Sequence, residues 1–260
     1  MDPSAQAIVF LDLDGTLSLH HQAPSLRVAQ SIQTLRKNGH LAFISTGRSR
    51  SNISENISSI GFDGVISLAG AHVMIGKEVL TDEAMPPDLL DQLLALFQET
   101  GANGMLEGPE GCIILSPRGK PHTLLHPYFR TQAEIYATHP GLRVSKFVVP
   151  VEDAPLLAPF RERFSDVLTF ENTNMGYEEL TLRNFNKGTA IRQVLDYLGR
   201  DRRNSYAIGD SENDVVMFQA VETPIAMGNA QEHVKLRASY VTSSIQEDGV
   251  CAALEHFGLI

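Results

Sequence analysis

The sequence predicts an α/β fold in which a parallel-sheet core is interrupted by an inserted α+β unit. Short apolar runs alternate with helix-periodic stretches over residues 1–81, and that rhythm stops near residue 82. It returns at Lys187 and continues to Ala226. Continuous apolar strands separated by helices imply a parallel sheet covered on both faces. A chain of 260 residues suffices for two such units, each with its own core.

Taken in order, Ile8–Leu11 reads as a strand, and Gly15 lets the chain turn soon after it. Residues 24–37 read as a helix with Leu26, Ala29, Ile32 and Leu35 on one face and Gly39 as its stop. Residues 41–44 form a second strand, 50–59 a helix striped by Ile53, Ile57 and Ile60, and 65–68 a third strand. Pro86-Pro87 opens a helix that buries Leu89, Leu90, Leu93, Leu94 and Phe97 and stops at Gly101. Strand-like pieces at 105–107 and 112–116 follow, then a Pro/His-rich stretch and a helix over 128–138. A strand at 147–151, a helix at 154–164 and strands at 167–170 and 178–182 complete the insert. Ile191, Val194, Leu195 and Leu198 stripe a further helix. A strand at 205–208, a helix at 214–220 and a strand at 223–226 restore the first rhythm. The core is therefore expected at 1–81 and 183–260 and the insert at 82–182, with hinges at 81–83 and 182–185.

The chain carries 31 acidic and 21 basic residues, a net charge of −10, which argues against nonspecific nucleic-acid binding. A phosphorylated substrate stays compatible, because a bound divalent cation reverses the local field. The N-terminus lacks a basic n-region, so no signal peptide is expected, and no apolar run reaches membrane-spanning length. Cys112 and Cys251 are the only cysteines and lie far apart, which points to reduced thiols in a cytoplasmic protein rather than a disulfide or zinc framework. Oligomeric state is not legible.

Four polar clusters fall at strand or helix ends, where ligands bind in open parallel sheets. They are Asp12-Leu13-Asp14-Gly15-Thr16-Leu17, Ser45-Thr46-Gly47-Arg48, Asn186-Lys187-Gly188-Thr189 and Gly209-Asp210-Ser211-Glu212-Asn213-Asp214. Two aspartates two positions apart repel unless a cation sits between them or one holds a proton, so the first cluster suggests a metal, a shared proton, or a nucleophile beside an acid. The Thr46 hydroxyl, the N–H groups beside Gly47 and the Lys187 ammonium suit a phosphate. Asp12 and Asp210 suit a hard cation, Mg²⁺ by preference, with Asp214 as ligand or supporting anchor. Taken singly, Lys187 reads as a solvated lysine, and the structural alternatives for the others are a helix N-cap for Thr46 and a first-turn helix acid for Asp214. Arg48 fits a core ion pair as well as a substrate contact. His20 and His21 follow the first cluster and are candidates for the entrance, while His122, His126, Tyr128 and Arg130 are candidates within the insert.

Together, in this order, the clusters resemble the four motifs of the haloacid dehalogenase superfamily of phosphatases and phosphotransferases. Residues 225–230 and 247–250 resemble its Cof-type branch, in which a large α/β cap is inserted between the second and third motifs of a Rossmann-like core. The resemblance implies that Asp12 is a nucleophile forming an aspartyl-phosphate and that Asp14 is the general acid and base. It implies Mg²⁺ held by Asp12, the Asp14 main-chain carbonyl and Asp210, with Asp214 in support. Thr46, Gly47, Lys187 and Asn213 would hold the phosphoryl group. The expected substrate is a small phosphorylated metabolite, a sugar phosphate first of all, chosen by a cap that closes over the core. The alternatives are a phosphotransferase or mutase, and a phosphometabolite-binding regulator without catalysis. One departure stands out: Ala69-Gly70-Ala71 occupies a place where the branch usually carries Asn-Gly-Ala.

Overall fold

A computed structural model describes residues 6–19, 22–173 and 176–260; His20 and His21 lie outside the described residues. In chain order the elements are β1 (Ile8–Leu11), α1 (Leu26–Lys37), β2 (Leu41–Ser45), α2 (Glu55–Ser58), β3 (Gly64–Ser67), β4 (His72–Ile75) and β5 (Glu78–Asp82). Then come α3 (Pro87–Thr100), β6 (Gly104–Gly108), β7 (Gly111–Leu115), β8 (Tyr128–Phe129), α4 (Gln132–Thr138), β9 (Lys146–Pro150), α5 (Ala158–Phe164), β10 (Leu168–Asn172) and β11 (Tyr177–Leu182). The last are α6 (Lys187–Tyr197), β12 (Ser205–Gly209), α7 (Val215–Ala220), β13 (Thr223–Ala226), α8 (Glu232–Lys235), β14 (Tyr240–Val241) and α9 (Gly249–His256). They form two units. The first runs to Arg48 and includes Ile53–Thr81 and Asn186–Ile260; the second comprises Ser49–Asn52 and Asp82–Phe185.

The first unit is built on an eight-stranded sheet in the order β14-β13-β12-β1-β2-β3-β4-β5. It is parallel from β14 to β3, with Leu11 level with Ile208 on one side and Ile44 on the other. Successive side chains of a strand point to opposite faces, so β1 feeds two cores. Val9 and Leu11 pack with Ile32 and Leu35 of α1 and Leu254 of α9, while Ile8 and Phe10 pack with Phe43 and with Ile191 and Val194 of α6. The edge departs from the expected parallel pattern, because β4 is antiparallel to β3. Only residues 68–71 join them, too few for the crossover that a parallel pair needs.

Two expected helices differ in the structure, the second over a stretch that is divided between the two units. Ser25 caps α1 by accepting from the Val28 N–H at 3.1 Å, which turns Val28, Ser31, Ile32 and Leu35 inward and leaves Leu26 exposed. The helix expected over 50–59 is broken: a 3-10 turn covers Arg50–Asn52, and Ser54, extended at φ −63 and ψ 152, restarts the chain as the four-residue α2.

The second unit carries a six-stranded sheet in the order β10-β11-β9-β6-β7-β8, antiparallel except for the β7–β8 pair. Leu93, Leu94 and Phe97 of α3 and Phe160 of α5 pack with Leu106, Phe147 and Leu180 from one face of the sheet, and the Phe97 and Phe147 rings stack at 5.0 Å. The helix expected over 128–138 opens as strand β8. Thr131 then starts α4 through a capping box with Glu134. The helix expected over 154–164 begins as a 3-10 segment, Val151–Leu157, that contains Pro155 and becomes α-helical only at Ala158.

Candidate active site

Asp12 leaves β1 at its carboxyl end, where its N–H donates to the Ile208 carbonyl at 2.9 Å, and its side chain is nearly fully buried. The chain then turns sharply, with the Gly15 N–H donating to the Ser18 carbonyl at 2.9 Å. Gly15 sits at φ +88, and a Cβ there would lie 2.3 Å from Asp210 Oδ2, so the turn and the approach of Asp210 both require glycine. The Thr16 hydroxyl donates to Asp210 Oδ1 at 3.2 Å. Asn229 steadies the turn from outside: its Nδ2 donates to the Gly15 carbonyl at 2.9 Å while its Oδ1 accepts from the Ile245 N–H at 2.8 Å. This gives part of the 225–230 signature a positional role.

Lys187 is the first residue of α6. Asn186 accepts from the Thr189 N–H at 2.9 Å and Thr189 Oγ1 accepts from the Asn186 N–H at 3.0 Å, a reciprocal cap that fixes where the helix begins. Lys187 is 2% exposed, and its Nζ donates to Asp12 Oδ1 at 2.6 Å, Asp214 Oδ1 at 2.7 Å and Asn213 Oδ1 at 3.2 Å. Two clusters 175 residues apart in sequence thus meet through one ammonium.

Asp210 and Asp214 come together through a loop rather than along one helix face, because Asp210 precedes the helical segment and a 3-10 turn intervenes. Asp214 Oδ2 closes that loop, accepting from the N–H groups of Asp210 and Ser211 at 2.9 and 3.0 Å. Both Asp214 oxygens are therefore engaged. The Asn213 oxygen takes Lys187 and the Ser211 hydroxyl, at 2.8 Å, which leaves the amide N–H₂ as its donor side.

Thr46 is buried where β2 ends. Its N–H reaches the Ile66 carbonyl at 2.9 Å, its own carbonyl accepts from Ala69 at 3.1 Å, and its hydroxyl oxygen accepts from the Arg48 N–H at 3.1 Å. Gly47 links the two. The Arg48 side chain forms a fork on Asp14, with Nε donating to Oδ2 at 2.8 Å and Nη2 donating to Oδ1. Arg48 is thus paired with Asp14, the ion-pair arrangement that was one of its two sequence readings. Ala69 adopts φ 53 and ψ 28, a left-handed conformation that asparagine tolerates better than alanine.

The electrostatics follow from this crowding. Asp12 is raised well above the ordinary carboxylate range by burial and by Asp214, which outweigh the ammonium of Lys187. Burial and Asp214 likewise push Asp210 up to about 7. Lys187 is pulled down by burial, but Asp12 and Asp214 more than offset that and raise it above the ordinary lysine value. Oxygens of Asp12, Asp210 and Asp214 lie within 4.8 Å of one another. An all-oxygen donor set this crowded with carboxylates fits a hard divalent cation.

The insert candidates lie in the second unit. The His122 ring meets Tyr177 edge-on at 5.9 Å and is lowered by burial. Tyr128 is exposed in β8, and the Arg130 N–H donates to Glu134. Sequence reasoning passed over Lys146, which is buried between Glu107 at 3.1 Å and Glu179 at 2.8 Å on the sheet face away from the helices. Burial, reinforced by Glu107, pushes the neighbouring Cys112 thiol up to about 11. This group has no periodic signal in the sequence: Glu107 stands between Leu106 and Gly108, and Lys146 opens the otherwise apolar β9 after Ser145.

Residues 9–254 match the haloacid dehalogenase-like hydrolases, and the chain belongs to that family. It is a Cof-type phosphatase, a phosphoric monoester hydrolase. Among curated relatives it is 26% identical to the putative phosphatase YkrA of Bacillus subtilis, over 97% of this chain and 98% of that protein. It is 27% identical to the 5-amino-6-(5-phospho-D-ribitylamino)uracil phosphatase YcsE of the same organism, over 97% and 96% of the two chains. The fold superposes on the phosphatase BT1666 of Bacteroides thetaiotaomicron with a TM-score of 0.84 at 24% identity, covering all of this chain and 97% of that one. Among the described residues no helix is long and apolar enough to cross a membrane.

Proposed function

We propose that this phosphatase hydrolyses a small phosphorylated metabolite through an aspartyl-phosphate on Asp12. The observation that carries the reading is the 2.6 Å contact between Asp12 and the buried Lys187, at a strand end where Asp210 and Asp214 also converge. In the first step an Asp12 oxygen attacks phosphorus, the ester P–O bond breaks, and Asp14 gives its proton to the leaving oxygen. In the second, water attacks phosphorus and gives a proton to Asp14, the bond to Asp12 breaks, and inorganic phosphate departs. Thr46, Gly47, Lys187 and the amide of Asn213 hold the phosphoryl oxygens as charge spreads over them. Asp12, Asp14 through its main-chain carbonyl, and Asp210 would hold Mg²⁺, with Asp214 as anchor. When bound, the ion neutralises the carboxylates and the phosphoryl oxygens facing them.

A sugar or polyol phosphate is the favoured substrate, and the relative named for a phosphoribityl compound supports that class. A phosphate-release screen over phosphorylated metabolites tests this, with release of inorganic phosphate separating hydrolysis from mutase chemistry. Asp12→Asn abolishes turnover while preserving the circular dichroism spectrum, and EDTA stops the wild type. Substantial phosphate release by purified Asp12→Asn sinks the nucleophile assignment, and full activity without divalent cation sinks the metal site.

A further inference from the structure

We infer that Arg48 is a positioning residue for Asp14, and that its guanidinium fork sets the direction in which Asp14 passes its proton. The inference rests on the reading of Asp14 as the acid and base of the reaction.

The two aspartates of the first motif are held by different cations. Asp12, the attacking group, meets the ammonium of Lys187, a point charge on one oxygen. Asp14 meets a planar fork that takes both of its oxygens. A fork fixes the plane and heading of a carboxylate in a way that a single ammonium does not. A nucleophile needs a lone pair left open, whereas a proton shuttle needs a heading.

The fork is itself anchored. The Arg48 side chain is 11% exposed against 29% for Asp14. The Arg48 N–H donates to Thr46 Oγ1, and the Arg48 carbonyl accepts from the Leu68 N–H at 2.9 Å. Arg48 is thus built into the turn that carries the phosphate-binding Thr46 and Gly47. Asp14, by contrast, sits on the tight turn before Gly15, and among the described residues Arg48 supplies the hydrogen bonds to its two oxygens. The proton shuttle therefore takes its orientation from the phosphate-binding turn. For Asp14 to serve a leaving group, one arm of the fork opens while the other remains as a pivot.

The test is a double-mutant cycle in Mg²⁺ buffer with the wild type, R48Q, D14N, the R48Q/D14N double variant and R48K. The substrates are glycerol phosphate, whose alkoxide needs a proton to leave, and p-nitrophenyl phosphate, whose phenolate does not. We expect R48Q to lower kcat on glycerol phosphate about 30- to 300-fold, part of what a general acid supplies, with KM within about threefold. First-turnover release of p-nitrophenolate falls by less than about threefold, and R48Q costs the D14N background less than about twofold, because groups acting through one another are not additive. R48K keeps the charge without the fork and stays within about threefold of R48Q. Unfolding midpoints of all five proteins without metal separate loss of rate from loss of fold, and the cycle shows in those midpoints as non-additivity of the pair. A tenfold rise in KM on both substrates, or an equal loss from R48Q in the wild-type and D14N backgrounds, makes Arg48 a direct substrate contact and overturns the inference. So does full rescue by R48K. A wild type that hydrolyses neither ester overturns the phosphatase mechanism first, and the inference with it.

Discussion

From the crowding of carboxylates at the end of β1 we expect the metal-free protein to lose stability as pH rises and Mg²⁺ to restore it. Asp210 has an ordinary value of 3.8 in the unfolded chain and about 7 in the fold. A carboxyl raised on folding binds its proton more tightly in the native state, so its contribution is fully present below the unfolded value. It is lost as pH climbs from about 4 to about 7. At 1.36 kcal/mol per pKa unit, the rise for Asp210 amounts to roughly 4 kcal/mol over that window, of which about 2 kcal/mol falls between pH 5.5 and 7. Asp12 moves in the same direction and adds to it. A divalent cation binds the ionised form, so at pH 5.5 it must first displace a proton that is already gone at pH 8. The displacement weakens apparent affinity by about 30-fold at the lower pH.

The assay is urea unfolding at pH 5.5, 7 and 8, each with EDTA and with Mg²⁺, together with calorimetry in two buffers that differ in ionisation enthalpy. With EDTA the stability falls from pH 5.5 to 7 and then levels. Mg²⁺ stabilises more at pH 8 than at pH 5.5, and its binding releases protons at the lower pH. Asp210→Asn makes the EDTA profile shallower by removing one titrating group, which separates this carboxyl from other sources of the slope. Reasoning from the carboxylate cluster is refuted if the EDTA profile of the wild type is flat, if Asp210→Asn keeps the wild-type slope, or if Mg²⁺ stabilises equally at both pH values.

Two substitutions probe the supports of the site. Lys187→Met removes the cation that bridges Asp12 and Asp214 and leaves two carboxylates buried without it; urea unfolding in EDTA shows a loss of roughly 3–5 kcal/mol, and a loss under about 1 kcal/mol contradicts the buried ion-pair account. Ala69→Asn places a residue that tolerates the left-handed region at φ 53 and raises unfolding free energy by about 0.5–1 kcal/mol, as thermal melts check; a lower melting point shows that the position is set by side-chain space rather than by backbone conformation.

Legibility of the sequence divides along physical lines. Strand β1 and the stripes of α3 and α6 are legible because packing against a sheet or a helix layer imposes a period that composition alone records. The breaks are not, because they are decided by single backbone groups: Ser54 extended before α2, Thr131 boxed with Glu134, Pro155 in a 3-10 segment. The same division runs through the site. That Asp12, Lys187, Asp210 and Asp214 are candidates for one site is readable from residue type and order, but which carboxylate meets which cation is not. Asp210 and Asp214 are four residues apart, a spacing that suggests a helix face, yet a loop brings them together and the Asp214 oxygens are spent on Lys187 and two backbone N–H groups. Arg48 shows the point most clearly. Its sequence position allowed two partners, and only the fold of the β2 turn, latched to residues 66–69 through Thr46 and Leu68, aims its guanidinium at Asp14. Motifs name candidate reacting groups because chemistry restricts residue type. The pairing of those groups is set by turns and caps whose geometry no residue type records, and in the proposed mechanism it is the pairing that separates attacker from shuttle.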